Sequence, residues 1–223
     1  MRAARRLLVP GVSTLVMLAL LLSLGFWQLQ RRDWKSALLA QIDRAEATAP
    51  LPLGAAPSPF SKVQAKGVLR PDLAVRYGVE LRGDALGAHL IVPLERSGQP
   101  VLLTDLGWVP LKPGRPLIWP SGAVDGFVRP GETAGMFAAH DNSVERLFYT
   151  LDPDAIGAAL GLQAVMPFVL VAIGPAQDGV YPQPVQTLPR PPNNHLQYAF
   201  TWFGFAATLT VIFALYARKS LRS

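Results

Sequence analysis

Two long runs without a charged side chain, Leu7 to Gln30 and Leu196 to Ala217, enclose a middle where apolar and polar positions alternate over short distances. As a helix the first run would be about 35 Å long, enough to cross a hydrocarbon core of about 30 Å. The second run meets the same requirement. The first helix is expected to continue past the apolar run through Ser36 to Ala47 and to stop at Pro50-Leu51-Pro52. Beyond it, proline and glycine cut the chain into short segments separated by turns, the pattern of an antiparallel β domain.

Within that middle, Ser61 to Leu69 places Val63, Ala65, Gly67 and Leu69 on one face. Leu73, Val75, Tyr77 and Val79 alternate after Pro71-Asp72, which predicts a hairpin between the two segments. Leu86 to Leu94 and Val101 to Val109 are the next strands, joined across Arg96-Ser97-Gly98-Gln99-Pro100, and Ala123 to Arg129 and Glu145 to Leu151 are shorter candidates. Asp152 followed by Pro153 is a helix start, with Gly161 as its stop. Met166 to Ile173 is wholly apolar and predicts a central strand. Six prolines between Gly174 and Asn194 predict an extended strap. The expected architecture is an integral membrane α+β protein, two transmembrane helices flanking an antiparallel β-rich extracytoplasmic domain. Its parts are helix 7–30, domain 31–194 with the strap 174–194, and helix 195–217.

Composition agrees with a membrane protein, since half of the 223 residues are hydrophobic and 16% are charged. The net charge of +6 resides at the ends: Arg2, Arg5 and Arg6 precede the first run, and Arg218, Lys219 and Arg222 follow the second. The 15 basic residues left between them equal the 15 acidic ones, so there is no basic face for nucleic acid. Positive charge outside both runs places both termini in the cytoplasm and the middle beyond a bacterial inner membrane. Phe26 to Arg32 has no small-x-small site, so an uncleaved anchor is expected. Without cysteine, disulfides, thiolate copper and Cys-ligated zinc are excluded.

Candidate chemistry is sparse. No nucleophile elbow, phosphate-cradling loop, HExxH or EF-hand pattern occurs, which argues against an enzyme. His89 lies on a predicted strand as a core or edge residue, and His140 beside Asp141 in a loop is expected to be solvated. Trp108 in Gly107-Trp108-Val109-Pro110 is expected to pack under a turn. More informative is Pro192 to Phe203. Asn193 or Asn194 can cap the second long helix, and His195, Tyr198, Trp202, Phe205 and Leu209 share one helical face, an imidazole above an aromatic stripe. Trp27, Arg31, Trp34 and Lys35 share a face at the exit of the first helix. With the helices running in opposite directions, Trp27 to Arg32 and His195 to Trp202 fall at one membrane level.

Gly25-x-Trp27-Gln28-Leu29-x-Arg31-x-x-Trp34-Lys35, Gly107-Trp108-Val109-Pro110 and Asn193-Asn194-His195-Leu196-x-Tyr198-Ala199-x-Thr201-Trp202-Phe203 together resemble the three signatures of the surfeit-locus-one family, assembly factors for haem-copper cytochrome c oxidase. The middle signature departs from the family pattern: Leu106 stands where an arginine usually precedes Gly-Trp-Val-Pro. The resemblance implies a non-catalytic protein that helps deliver haem a to the largest oxidase subunit, with oxidase subunits, haem a synthase and membrane lipid as partners. It also implies His195 as an iron ligand. A porphyrin held there would need the aromatic surface of Trp27, Tyr198 and Trp202 and cations for its propionates; Arg31, Arg32 and Lys35 are the candidates, and an acidic loop of a partner is the other anion they could meet. Two other readings stand beside this one, a scaffold that grips an oxidase assembly intermediate without holding haem, and a two-helix membrane sensor with an outward ligand-binding domain.

Overall fold

The computed structural model describes residues 2–112, 114–136 and 138–222. The chain divides into two compact units. One combines the residues up to Gln41 with those from Arg190 onward, and the other is Ile42–Pro189.

The first unit pairs two long helices, α1 (Arg2–Ala47), whose last residues from Ile42 belong to the second unit, and α3 (His195–Arg222), both long and apolar enough to cross a membrane. Their shielded positions recur every three or four residues: Gly11, Thr14, Leu18, Leu21, Gly25 and Gln28 on α1, and His195, Ala199, Trp202, Ala206, Leu209 and Phe213 on α3. That spacing keeps one seam of each helix facing the other along its length. Small residues set the approach. A Cβ at Gly25 would lie 2.5 Å from the ring of Phe203, and one at Gly11 would lie 3.5 Å from Phe213, so the helices run antiparallel with the aromatic rings seated on glycines. Most other side chains of the pair, among them Phe26, Trp27, Phe200 and Phe205, are exposed, as lipid-facing residues must be.

The second unit is built on one mixed sheet. Its main strands are β2 (Lys62–Lys66), β4 (Val75–Arg82), β5 (Ala85–Glu95), β6 (Val101–Pro110), β7 (Ala123–Pro130) and β9 (Val165–Ala172). Short pairings at β1 (Leu51–Pro52), β3 (Val68–Leu69) and β8 (Leu147–Phe148) complete the order β1-β2-β7-β9-β6-β5-β4-β8, with β3 on β5. β9 is central, parallel to β6 and antiparallel to β7. Because β3 continues β2 beyond Gly67 and pairs with β5 while β2 pairs with β7, the hydrogen-bonded circuit closes on itself. Gly67 is the hinge of that closure, since a Cβ there would run into the Glu95 carbonyl.

The closed sheet explains the run of apolar residues in β9. Val92, Leu102 and Leu170 face the interior cluster with Val63, Ala65 and Val128, while their neighbours Ile91, Leu103 and Val169 face outward under α2 (Pro153–Ala159) with Ile156 and Phe148. Both faces are covered, so consecutive residues are buried. Asp152 caps α2 as expected, its side chain accepting from the N–H groups of Asp154 and Ala155.

The expected hairpin between 61–69 and 73–79 does not form. Pro71–Leu73 is a 3-10 turn, β2 pairs with β7, and β4 pairs with β5 around Gly83, whose φ of 57° suits the tight turn. The alternation in 61–69 is real, but the bend at Gly67 divides it between two partners. The strand expected over Glu145 to Leu151 contracts to Leu147–Phe148, held parallel to β4. Residues 174–194 form no helix or strand, although isolated bridges tie Gln183 to Trp108 and Val185 to Ile173.

Candidate functional site

In the helix pair, polar side chains from the two informative stretches meet. His195 is the first residue of α3 and half-buried, and its Nδ1 lies 2.7 Å from Oε1 of Gln28 on the α1 seam. The Asn193 amide donates to Ser36 Oγ at 3.1 Å and to the Arg32 carbonyl at 3.3 Å, and Lys35 Nζ donates to the Pro192 carbonyl at 2.7 Å. Four hydrogen bonds thus hold residues 192–195 against one side of α1 between Gln28 and Ser36. Asn193 was an expected cap of α3, but its NH2 group donates to α1, and its Oδ1, the atom a cap would use, is buried without a hydrogen-bond partner among the described residues. Asn194 stands at the cap position, its carbonyl accepting from the Tyr198 N–H at 3.4 Å.

The remaining candidates are arranged around this junction. Trp202 is half-buried and packs edge-on against Phe205 with centroids 6.2 Å apart, while Tyr198 and Trp27 are exposed on the flanks of the pair. Arg31 and Arg32 are exposed one turn beyond Gln28, and the Arg31 guanidinium lies 4.0 Å from the Trp34 ring centroid, a cation–π contact.

The Gln28 carbonyl oxygen can only accept, so in this contact Nδ1 of His195 is the donor, and in the neutral ring the lone pair then lies on Nε2. A neutral imidazole oriented in this way, beside exposed aromatic rings, has the donor chemistry that a haem iron requires.

His89 in the sheet unit is bound differently. Its Nδ1 lies 2.9 Å from Asp105 Oδ2 and its Nε2 3.2 Å from Glu80 Oε2. Asp105 is 1% exposed, and its Oδ1 also accepts from the Gly107 N–H at 2.9 Å. A bulge in β4 between Tyr77 and Glu80, made possible by Gly78 at φ 66°, turns Glu80 toward the histidine, and Arg82 braces Glu80 at 2.8 Å. Burial pulls the His89 pKa down, but the two carboxylates outweigh it and the net shift is upward. Glu80 is shifted down, chiefly by its bond to Arg82. With a carboxylate on each nitrogen, protonated His89 donates on both sides and has no lone pair to offer. His140 is exposed. Among the described residues no group of His, Cys, Asp and Glu could hold a metal ion by itself.

Trp108 is 3% exposed, with Tyr181 packed against it and Arg82 over its ring. Gly107 beside it, at φ 115°, leaves room that the Gln183 carbonyl fills. Leu106 is buried in the interior cluster and lines a cleft of about 330 Å³ with Val124, Asp125, Ala172 and Pro182. An arginine here would need its charge paired among these side chains, and leucine fits them without one.

Gln28 and Asp105 were not singled out as site residues from the sequence. Asp105 has a signal of its own, a lone carboxylate in the middle of an apolar strand, which requires a buried partner. Gln28 has a weaker one, an amide among the last residues of an apolar run.

The model of the SURF1 family matches residues 15–207. A SURF1-like protein of Rickettsia bellii is 26% identical over 93% of this chain and 90% of its own length. Surfeit locus protein 1 of Xenopus tropicalis is 27% identical over 90% of this chain and 72% of its own, and that of Homo sapiens is 27% identical over 89% and 73%. The match runs from inside the first apolar helix, through the sheet unit, to beyond the His195 junction, and on that evidence the chain belongs to the SURF1 family.

Proposed function

We propose that this protein assists the assembly of a haem-copper cytochrome c oxidase, holding haem a at His195 on its way to the largest oxidase subunit and performing no catalysis itself. The oxidase connection follows from the family. Haem handling rests on the His195 junction, above all on the bond to Gln28 that leaves Nε2 with its lone pair. In this reading His195 holds the iron, the exposed ring of Tyr198 and the half-buried ring of Trp202 offer apolar surface along α3, Trp27 offers the same on α1, and Arg31 and Arg32 pair with the propionates. Haem a supplies the iron and a lipid-soluble tail, and what this chain supplies is position. The protein sits in a bacterial inner membrane with both termini in the cytoplasm, where a periplasm-dependent reporter fused after Ser223 stays silent. Activity of that reporter would reverse the orientation.

Purification from cells that make haem a, followed by a visible spectrum, tests the central point. His195→Ala should lose the haem bands, while His89→Ala and His140→Ala keep them. Retention of an unchanged spectrum by His195→Ala would refute the site. The lipid-facing aromatic residues of both helices also suit the scaffold reading. That reading predicts a parent protein without haem that still co-purifies with oxidase subunits.

A further inference from the structure

Gln28 and His195 are 167 residues apart, yet theirs is a 2.7 Å side-chain contact within the helix seam. We infer that Gln28 is a positioning residue: its Oε1 holds His195 in the Nδ1–H tautomer, aims Nε2 away from α1 and sets how strongly that nitrogen donates to iron. The inference rests on the haem reading for its purpose and on the contact alone for its structural half.

Three features make Gln28 suited to this. It falls one helical turn from Gly25, where the ring of Phe203 seats α3 directly on α1, so its reach to the start of α3 is fixed by packing. The Asn193 and Lys35 bonds fix the approach to His195 from the preceding side, which leaves the imidazole little freedom to swing. The acceptor is also a neutral amide. A carboxylate acceptor raises the basicity of an imidazole, whereas an amide fixes the tautomer with less electron donation. The ligand is thereby oriented by an uncharged partner. A more basic ligand would stabilise ferric iron further, which suits permanent retention better than release to a partner. In the sheet unit the same residue type faces Asp105 and Glu80 instead. Tautomer control with a neutral partner is particular to the membrane-level histidine.

The experiment uses the full chain in lipid nanodiscs, labelled with 15N at histidine, first without haem and then with added haem a. In the haem-free parent, His195 should show the Nδ1–H tautomer. Gln28→Leu, which keeps the helix apolar, should populate the Nε2–H form and bind haem a about ten- to a hundredfold more weakly, the range seen when an outer partner of a metal-bound histidine is removed. Gln28→Glu should restore both the Nδ1–H tautomer and binding, but with a lower midpoint potential than the parent. That last shift is one that a merely structural role for Gln28 would not produce.

An unchanged tautomer in haem-free Gln28→Leu would overturn the inference, whatever the haem result. Altered tautomer with unchanged haem affinity and potential would overturn the positioning role. A parent that showed the expected tautomer and bound no haem a would instead defeat the proposed function, and the role of Gln28 in it.

Discussion

The two units hold their histidines under opposite conditions. In the sheet unit, His89 is clamped between two carboxylates, one of them almost fully buried, and the cluster is closed by Arg82 and the Gly107 N–H. In the helix pair, His195 has a single bond to a neutral amide at the margin of the seam. Both residues are partly buried, so burial does not separate them. The partner of the second nitrogen does. The imidazole satisfied on both sides ties its strand to both neighbours, β4 and β6, and one satisfied on a single side is available to a ligand.

The largest expected effect comes from breaking the clamp. Asp105→Leu removes the acceptor of both His89 and Gly107 in a site with almost no access to water. It should destabilise the sheet unit by about 3 kcal/mol, as removal of one member of a buried charged pair typically does. Hydrogen exchange of the β5 and β6 amides in the full chain measures this, because those strands carry the cluster. A loss under about 1 kcal/mol would mean that the clamp contributes little, and the contrast between the histidines would fail. The matching change in the helix pair is Gly25→Leu, which drives a side chain into the Phe203 ring and costs about 1–3 kcal/mol of helix packing. It should pull His195 from Gln28 and abolish haem retention while leaving exchange in β5 and β6 unchanged. Equal disturbance of both units would show that they do not respond independently.

The two units also differed in how far the sequence disclosed them. The helices were legible because lipid demands about twenty consecutive apolar residues, and little else in a chain meets that demand. The strands β5, β6, β7 and β9 were legible as apolar runs, and α2 from Asp152-Pro153. What could not be read was pairing. Val63 and Ala65 alternate as any strand would, and nothing local says that the chain turns at Gly67 to serve β7 on one side and β5 on the other. The site divided in the same way. The direction of the two helices predicted that His195 and the Trp27–Arg32 stretch lie at one level, and the junction brings His195 to Gln28 in that stretch. That Gln28 is the residue touched depends on rotation about the helix axes, which the seam glycines fix and periodicity alone does not. Asp105 could have been flagged by its apolar surroundings, but its partner His89 lies on another strand.

The smallest effect is the most specific to His89. Its pKa in the fold is raised above the ordinary 6.5, so folding binds its proton more tightly than the unfolded chain does. A raised value of this sign contributes stability that is complete below 6.5 and is lost as pH rises through the folded value. Glu80, shifted down from 4.5, acts at the other end, contributing above 4.5 and losing its contribution as pH falls through its lowered value. The sheet unit should therefore have a plateau of stability in mildly acidic solution and weaken on the alkaline side. The loss should be smaller than that caused by Asp105→Leu, because neutral His89 can still donate one N–H to Asp105 and only the charge is removed. Tyr77, edge-on to the His89 ring, is itself shifted upward by burial and stays neutral through this range. His89→Gln should flatten the alkaline slope while keeping one hydrogen bond to Asp105. Exchange of the β5 and β6 amides between about pH 5 and about pH 9, corrected for the intrinsic rate, reads the slope in parent and variant. A parent whose sheet unit is equally stable across that range, or a His89→Gln variant with the parent's slope, would show that the His89 charge does not hold these strands.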